Sequence, residues 1–209
     1  MTLRERIKEI KHLQNKYSIC VLENPRNLIN IATVLRNVSA FGIEKLYVIG
    51  GVSPKSFEES KKDGKLANLS VGSNRWVFLK YFETTEECIK HLRKNLYTIA
   101  VTSSHDVSPR VKNLYKEKFT QKRLAIWFGN EANGVSKEAI NYSDFCVQIP
   151  MAGIVESLNL GTSTGIILSY VSNQRIQYVF EKKKIRAKTK KQKQAILAHG
   201  PTPMRKKTK

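Results

Sequence analysis

The chain has 209 residues, a length typical of one compact domain with a tail at most. Hydrophobic residues make up 41% of it, enough for a buried core, so wholesale disorder and collagen-like or low-complexity classes are excluded. Lys and Arg number 37 against 17 Asp and Glu, a net charge of +20. This excess predicts a polyanionic partner, with nucleic acid first and an acidic membrane surface second.

The excess charge is concentrated at the end of the chain. Between Arg175 and Lys209 there are 13 basic residues and one acidic residue, so +12 of the +20 lies in the last 35 positions. The basic run beginning at Lys182 predicts a helix extension that continues into an arm for phosphate contacts. The alternative is a solvated tail without a partner.

Cysteine usage and the N-terminal segment predict a cytoplasmic protein. Cys20, Cys88 and Cys146 lie in or beside apolar segments and are interpreted as reduced core thiols. The four histidines are isolated from one another and from the cysteines, so no metal site is predicted. The N-terminal segment is charged throughout, and no apolar run approaches the length of a membrane span. We therefore expect neither export nor membrane insertion.

The first 17 residues are predicted to form an amphipathic helix before the main domain. Thr2 and Glu5 have the spacing of a capping box. Apolar residues then recur at helical intervals, at Leu3, Ile7, Ile10 and Leu13. The chain is thus divided into a helix at 1–17, a domain at 18–181 and a basic tail at 182–209.

Strand and helix patterns alternate along the main domain. Short apolar runs predict strands at 18–22, 45–49, 76–79, 96–101, 124–128 and 145–149. Helices are predicted at 30–41, 54–62, 85–95 and 136–141, with a long helix starting near Ser157. This alternation predicts an α/β fold, a mostly parallel sheet flanked by helices.

Three of the predicted strands end in small or polar residues. Thr102 follows one strand, Gly129 follows the next, and Met151 lies just beyond the last. Because ligands of such sheets bind beyond the carboxyl ends of the strands, we expect these ends to line one pocket. Gly129 would leave room for a small ligand with an apolar face, and backbone amides would be available to a heterocycle.

Three common site classes are excluded by local sequence. Gly129 and Gly134 have the spacing of a Walker A loop, but Val135 stands where that loop needs lysine. No Gly-x-Gly-x-x-Gly follows the first strand, so a dinucleotide site is not predicted. Ser157 lacks a Gly-x-Ser-x-Gly elbow, which argues against a hydrolase nucleophile.

Three motifs carry a resemblance to a known family. They are Asn30-Ile-Ala-Thr-Val-Leu-Arg36 with Phe41-Gly42, then Phe128-Gly129-Asn130-Glu131-Ala-Asn-Gly134-Val-Ser136, then Ile149-Pro-Met151 through Glu156-Ser157-Leu158-Asn159. In this order they resemble the SPOUT superfamily and, within it, the TrmH (SpoU) family of RNA ribose 2′-O-methyltransferases. The resemblance covers roughly residues 18–175.

The resemblance implies a fold, a cofactor and a set of site residues. The fold would have a C-terminal trefoil knot, and the protein would be a homodimer that binds S-adenosylmethionine. The implied cofactor contacts are backbone groups at Thr102, Gly129, Ile149, Met151 and Leu158. The implied catalytic residues are Asn30, Arg36, Glu131, Ser157 and Asn159.

The implied chemistry assigns a role to each catalytic residue. Arg36 would fix a phosphate and stabilise charge developing on the ribose oxygen, with the proton acceptor left open. Asn30 would orient Arg36 or the ribose, and Glu131 would hold the polar network of the site. Ser157 and Asn159 would line the reaction centre. The structural alternatives are a snorkelling Arg36, a helix-start carboxylate at Glu131 and caps of the last helix at Ser157 and Asn159.

One run of residues departs from the family pattern. The segment from Leu160 to Gly165 replaces a Val-Ser-Val-Ala type run of many relatives and is expected to alter helix packing.

The predicted function is methylation of a tRNA ribose that depends on S-adenosylmethionine. The alternatives are rRNA methylation by the same chemistry, a catalytically silent RNA-binding protein, and a base methyltransferase of another SPOUT branch.

Overall fold

A parallel sheet forms the centre of the computed structural model, which describes residues 2–103 and 110–199. Within these residues the strands are β1 (Asn15–Glu23), β2 (Ile43–Ile49), β3 (Phe78–Phe82), β4 (Thr98–Thr102), β5 (Val111–Asn113), β6 (Leu124–Phe128) and β7 (Phe145–Gln148). Their order is β3-β2-β1-β6-β4-β7-β5, and every neighbouring pair is parallel. The predicted α/β fold is thereby confirmed.

Helices cover both faces of this sheet. They are α1 (Leu3–Ile10), α2 (Leu28–Ala40), α3 (Pro54–Lys62), α4 (Lys65–Leu69), α5 (Thr85–Lys94), α6 (Lys137–Asn141) and α7 (Leu160–His199). One apolar cluster packs α2, α3, α4 and α7 against one face, and a second packs α5 and α6 against the other. Residues of β1 alternate between the clusters, with Cys20 and Leu22 in the first and Val21 in the second.

Several element boundaries differ from the predicted ones. The first helix ends at Ile10, because Asn15 already begins β1. The strand predicted at 76–79 begins two residues later, as β3. Trp76 instead ends a 3-10 turn, in which its amide donates to the Ser73 carbonyl at 3.0 Å. The last helix begins at Leu160 rather than near Ser157. The short elements β5 and α4 were not predicted.

The capping box at the N-terminus is present as predicted. The Thr2 hydroxyl accepts a hydrogen bond from the Glu5 amide at 3.3 Å, and the Thr2 amide donates to the Glu5 carboxylate at 2.6 Å. At the other end, α7 continues as a helix through the first part of the basic tail to His199. Residues 200–209 of the predicted tail lie outside the described residues.

The run that departs from the family pattern packs α7 against α2. A Cβ atom at Gly161 would lie 2.7 Å from the Thr33 side chain, so only glycine fits without displacement. The Asn37 amide donates to the Gly161 carbonyl and to the Thr164 hydroxyl, each at 2.8 Å. The small residues after Asn159 therefore allow a close, hydrogen-bonded contact between the two helices.

A buried arginine ties α7 to the start of the sheet. Arg175 is 8% exposed, and its Nε donates to the Asn15 amide oxygen at 3.1 Å. Its guanidinium also donates to the carbonyls of Phe119, Gln121 and Lys122 at 3.5, 2.7 and 3.4 Å. Burial lowers the pKa of Arg175 to about 10.

Replacing Arg175 by alanine is expected to lower the free energy of unfolding by about 2–4 kcal/mol, because buried carbonyls lose their donor. The control is Arg186→Ala on the exposed part of α7, with an expected change within about 0.5 kcal/mol. Urea unfolding of both variants measures the difference. Equal midpoints for the two variants would contradict the assigned role of Arg175.

Candidate active site

A cavity of about 570 Å³ lies at the carboxyl ends of β4, β6 and β7. These strands are neighbours in the sheet, although other elements separate them along the chain. Thr102, Gly129 and Met151 all line the cavity, as expected for three strand ends that meet at one edge. Further walls come from residues 156–160 and from Ile167 of α7.

Eight consecutive residues, 128–135, line this cavity and are called the cavity loop below. Asn130 and Gly134 exchange backbone hydrogen bonds of 3.2 and 3.0 Å, so the loop folds back on itself. The Asn130 side chain accepts hydrogen bonds from the amides of Ala132 and Asn133 at 2.9 and 2.7 Å. A Cβ atom at Gly129 would lie well under 3.0 Å from the Gly134 backbone, so this position requires glycine.

The cavity loop is joined to the first turn of α2. The Asn30 side-chain amide donates a hydrogen bond to Oε1 of Glu131. Asn27 caps α2 by accepting from the Asn30 amide at 3.0 Å, which fixes where the helix begins. Asn30 therefore reaches the site through Glu131, although it is not itself a wall of the cavity.

The third motif lies between the cavity and the start of α7. Ser157, Leu158 and Asn159 all line the cavity. The Asn159 side chain accepts hydrogen bonds from the amides of Gly161 and Thr162 at 2.8 and 3.4 Å. Asn159 thus caps α7, which was the structural alternative to a functional role, and it also lines the cavity.

Arg36 lies apart from the other predicted site residues. It is exposed on α2, whose opposite face buries Ile31, Val34, Leu35 and Val38. It does not line the cavity, and within residues 2–103 and 110–199 its side chain forms no ion pair. Eight of the ten predicted residues line the cavity, namely Thr102, Gly129, Glu131, Ile149, Met151, Ser157, Leu158 and Asn159.

A buried carboxylate beside the site was not predicted from the sequence. Glu23 ends β1, is 1% exposed and accepts hydrogen bonds from Thr85, Trp127 and Ser136. The available signal was an acidic residue directly after the apolar run of β1. Its partners are 62 to 113 positions away in the chain, so no local pattern connects them.

Within the part of the chain that the structure describes, the remaining reactive groups offer no second site. The three cysteines are buried, and burial raises the pKa of the Cys20 and Cys88 thiols, which disfavours the reactive thiolate. Among residues 2–103 and 110–199, no group of three His, Cys, Asp or Glu side chains is placed to hold a metal ion. In the same residues, no helix is long and apolar enough to cross a membrane.

A parallel α/β sheet with a loop-walled cavity at adjoining strand ends defines a small-molecule-binding α/β domain. The model of the SpoU rRNA Methylase family matches residues 17–169. The chain belongs to this family, which confirms the resemblance predicted from the three motifs.

Individual relatives agree with this assignment. The chain is 29% identical over 177 residues to a tRNA (guanosine(18)-2′-O)-methyltransferase of Thermus thermophilus, covering 83% of this chain and 84% of that protein. A protein of the same name from Borreliella burgdorferi is 27% identical over 165 residues, covering 79% of this chain and 70% of the relative.

Solved structures share the fold. The A. aeolicus TrmH/SpoU tRNA modifying enzyme superposes with a TM-score of 0.68 at 26% identity, covering 85% of this chain and 86% of that one. The SpoU methyltransferase AviRb from Streptomyces viridochromogenes, solved in complex with the cofactor AdoMet, has a TM-score of 0.65 at 24% identity. That match covers 78% of this chain and 59% of AviRb.

Proposed function

We propose that the protein transfers a methyl group from S-adenosylmethionine to a ribose 2′-hydroxyl of tRNA. The observation that carries the proposal is the convergence of eight of the ten predicted site residues on one cavity at the strand ends. Membership of the SpoU family supports an RNA methyltransferase, and relatives named as tRNA 2′-O-methyltransferases support tRNA as the substrate. Because the family is named for rRNA methylases, rRNA is the second candidate substrate.

The cavity fits S-adenosylmethionine in size and lining. A volume of about 570 Å³ lies within the range of small-molecule sites, and glycine at position 129 leaves the loop backbone open to a ligand. The residues that would hold the cofactor are Thr102, Gly129, Ile149, Met151 and Leu158. When bound, S-adenosylmethionine supplies an electrophilic methyl group on a sulfonium.

The protein's own residues would position the ribose and stabilise charge. Arg36 is expected to hold the phosphate beside the target ribose and to stabilise negative charge on the attacking oxygen. A guanidinium stays protonated in proteins, so Arg36 acts as a cation and the proton acceptor is a different group. The hydrogen bond between Asn30 and Glu131 keeps the first turn of α2 against the cavity, near the reaction centre.

A homodimer is part of the proposal. Arg36 lies outside the cavity of its own chain, on an exposed face of α2 that also carries Thr33 and the 61% exposed Ile29. Ile154 and Val155 are likewise exposed, within the third motif between Met151 and Glu156. A second copy could cover these apolar residues and bring an arginine to the cavity. Light scattering on the purified protein measures the oligomeric state.

Two further parts of the proposal concern the chain path and the location. A C-terminal trefoil knot is supported by β7, which lies between β4 and β5 although both precede it in the chain. A cytoplasmic location is supported by the three buried cysteine thiols.

The test is methyl transfer from labelled S-adenosylmethionine to purified tRNA and, separately, to rRNA. Label in the ribose 2′-O position of tRNA is the expected result, and nucleoside analysis of the product distinguishes it from base methylation. Label in rRNA alone would assign the second candidate substrate. Absence of both transfer and cofactor binding would contradict the enzyme and favour a silent RNA-binding protein.

Deletion of residues 182–209 is expected to weaken RNA binding and to flatten its salt dependence. Lys182, Lys184 and Arg186 are exposed on the part of α7 that extends past the buried Arg175. Each phosphate contact that is lost should reduce the slope of log K against log salt by about 0.7–0.9. Filter binding at several salt concentrations measures the slope. Binding of S-adenosylhomocysteine should not change, and an unaltered RNA slope would mean that the tail is an inert solvated segment.

A further inference from the structure

Glu23 is a buried carboxylate that the proposed chemistry does not use. It is 1% exposed, and among the described residues no lysine or arginine forms an ion pair with it. Burial of a carboxylate without a cation is unfavourable unless donors satisfy its oxygens. Oε1 accepts from the Thr85 hydroxyl at 2.5 Å, and Oε2 accepts from Nε1 of Trp127 at 3.1 Å and from the Ser136 amide at 3.0 Å.

The two donors to Oε2 flank the cavity loop. Trp127 is the residue immediately before residues 128–135, and Ser136 is the residue immediately after them. All eight residues between these donors line the cavity. One oxygen atom of Glu23 therefore accepts hydrogen bonds from the indole of the residue before the loop and from the backbone amide of the residue after it.

The loop has a second attachment, which holds its middle. Asn30 donates to Glu131, four residues after Trp127. Glu23 and Asn30 both belong to the stretch that runs from the end of β1 into α2. The end of β1 and the first turn of α2 thus hold the loop at its two ends and near its centre, independently of any ligand.

We propose that Glu23 is a positioning residue for S-adenosylmethionine, whose carboxylate holds the cavity loop in its binding conformation before the ligand arrives. The proposal rests on the proposed function, because it takes the cavity as the cofactor site. A loop ordered in advance loses less conformational freedom on binding, so affinity for the ligand is higher. Glu23 acts through the loop and is not placed in contact with the ligand.

The experiment compares three variants of the full chain by calorimetric binding of S-adenosylhomocysteine. Glu23→Ala removes both loop contacts and is expected to raise Kd about tenfold or more, since two hydrogen bonds are lost. Glu23→Gln keeps an oxygen for Trp127 and Ser136 but accepts more weakly without the charge, so an intermediate rise of about threefold is expected. Thr85→Val is the matched control, because it removes only the bond to Oε1.

Hydrogen exchange of the ligand-free proteins separates positioning from general stability. Amides at 129–136 should exchange faster in Glu23→Ala than in the wild type, whereas Thr85→Val should change exchange only near the start of α5. Thr85→Val is also expected to lower the melting temperature while keeping the wild-type Kd. A Glu23→Ala variant with wild-type Kd would overturn the proposal, as would a Thr85→Val variant that loses affinity equally.

Failure of a variant to fold and failure of the cofactor assignment give distinguishable results. If Glu23→Ala does not fold, Glu23→Gln decides: a weaker Kd with faster loop exchange supports the proposal, and wild-type values for both overturn it. If the wild type does not bind S-adenosylhomocysteine, the cofactor assignment of the cavity fails. Loop exchange in Glu23→Gln then decides separately whether Glu23 orders the loop.

Discussion

Arg36→Ala should reduce methyl transfer to tRNA by about 10²–10³-fold, the usual effect of removing one group that stabilises charge in the transition state. Binding of S-adenosylhomocysteine should stay within about twofold of the wild type. The reason for this separation is structural: Arg36 is exposed on α2 and lies outside the cavity. Single-turnover transfer assays and calorimetry measure the two quantities.

Two further variants sharpen this prediction. Arg36→Lys keeps the charge but loses the planar fork that can hold a phosphate through two hydrogen bonds, so intermediate activity is expected. Arg75→Ala is the control, since Arg75 is an exposed arginine outside the three motifs. Near wild-type activity in Arg36→Ala would assign the phosphate and oxyanion role to another cation. Loss of S-adenosylhomocysteine binding in the same variant would mean that Arg36 shapes the cofactor cavity.

Gly129→Ala is expected to weaken S-adenosylhomocysteine binding by at least about tenfold, equivalent to 1.4 kcal/mol. The added Cβ would lie well under 3.0 Å from the Gly134 backbone, and backbone cannot rotate away as a flexible side chain can. The cavity loop must therefore move, which should also lower the free energy of unfolding by about 1–3 kcal/mol. Calorimetry and urea unfolding measure both effects.

Gly153→Ala is the matched control for Gly129→Ala. A Cβ at Gly153 meets nothing within 4 Å, and this glycine has no positive φ that would strain another residue. Its binding and stability should stay close to those of the wild type. If Gly129→Ala also binds S-adenosylhomocysteine with wild-type affinity, the loop can relax around the methyl group. The close approach of Gly129 to the Gly134 backbone is then not required for ligand binding.

Some elements were predictable because their signals are local. The strand 124–128 and the helix 54–62 have the bounds predicted from the sequence. An uninterrupted apolar run that ends at Gly129 defines the first, and a Ser53 cap followed by Pro54 defines the second. By contrast, β3 is an edge strand with a partly exposed pattern, and β5 has only three residues, so neither has a clear period.

Some features of the candidate site were likewise predictable from the sequence, and others were not. Gly129 was predicted from its place after an apolar strand, and Glu131 and Ser157 from the resemblance of their motifs to the TrmH (SpoU) family. Glu23 was missed because its three donors come from α5, β6 and the residue before α6, and no spacing in the sequence connects them. The hydrogen bond between Asn30 and Glu131 joins residues 101 positions apart and likewise could not be predicted from the sequence.

The sequence by itself determined the α/β class, the family resemblance and the strand ends that line the cavity, because periodicity, turn residues and short motifs are properties of neighbouring positions. Only the tertiary structure decided that Arg36 lies outside the cavity of its own chain and that Glu23 joins the two ends of the cavity loop. The contacts of Glu23 depend on strand order, since β6 pairs with β1 although more than a hundred residues separate them. That pairing places the buried Glu23 carboxylate beside the loop, where two of its three hydrogen-bond donors flank residues 128–135.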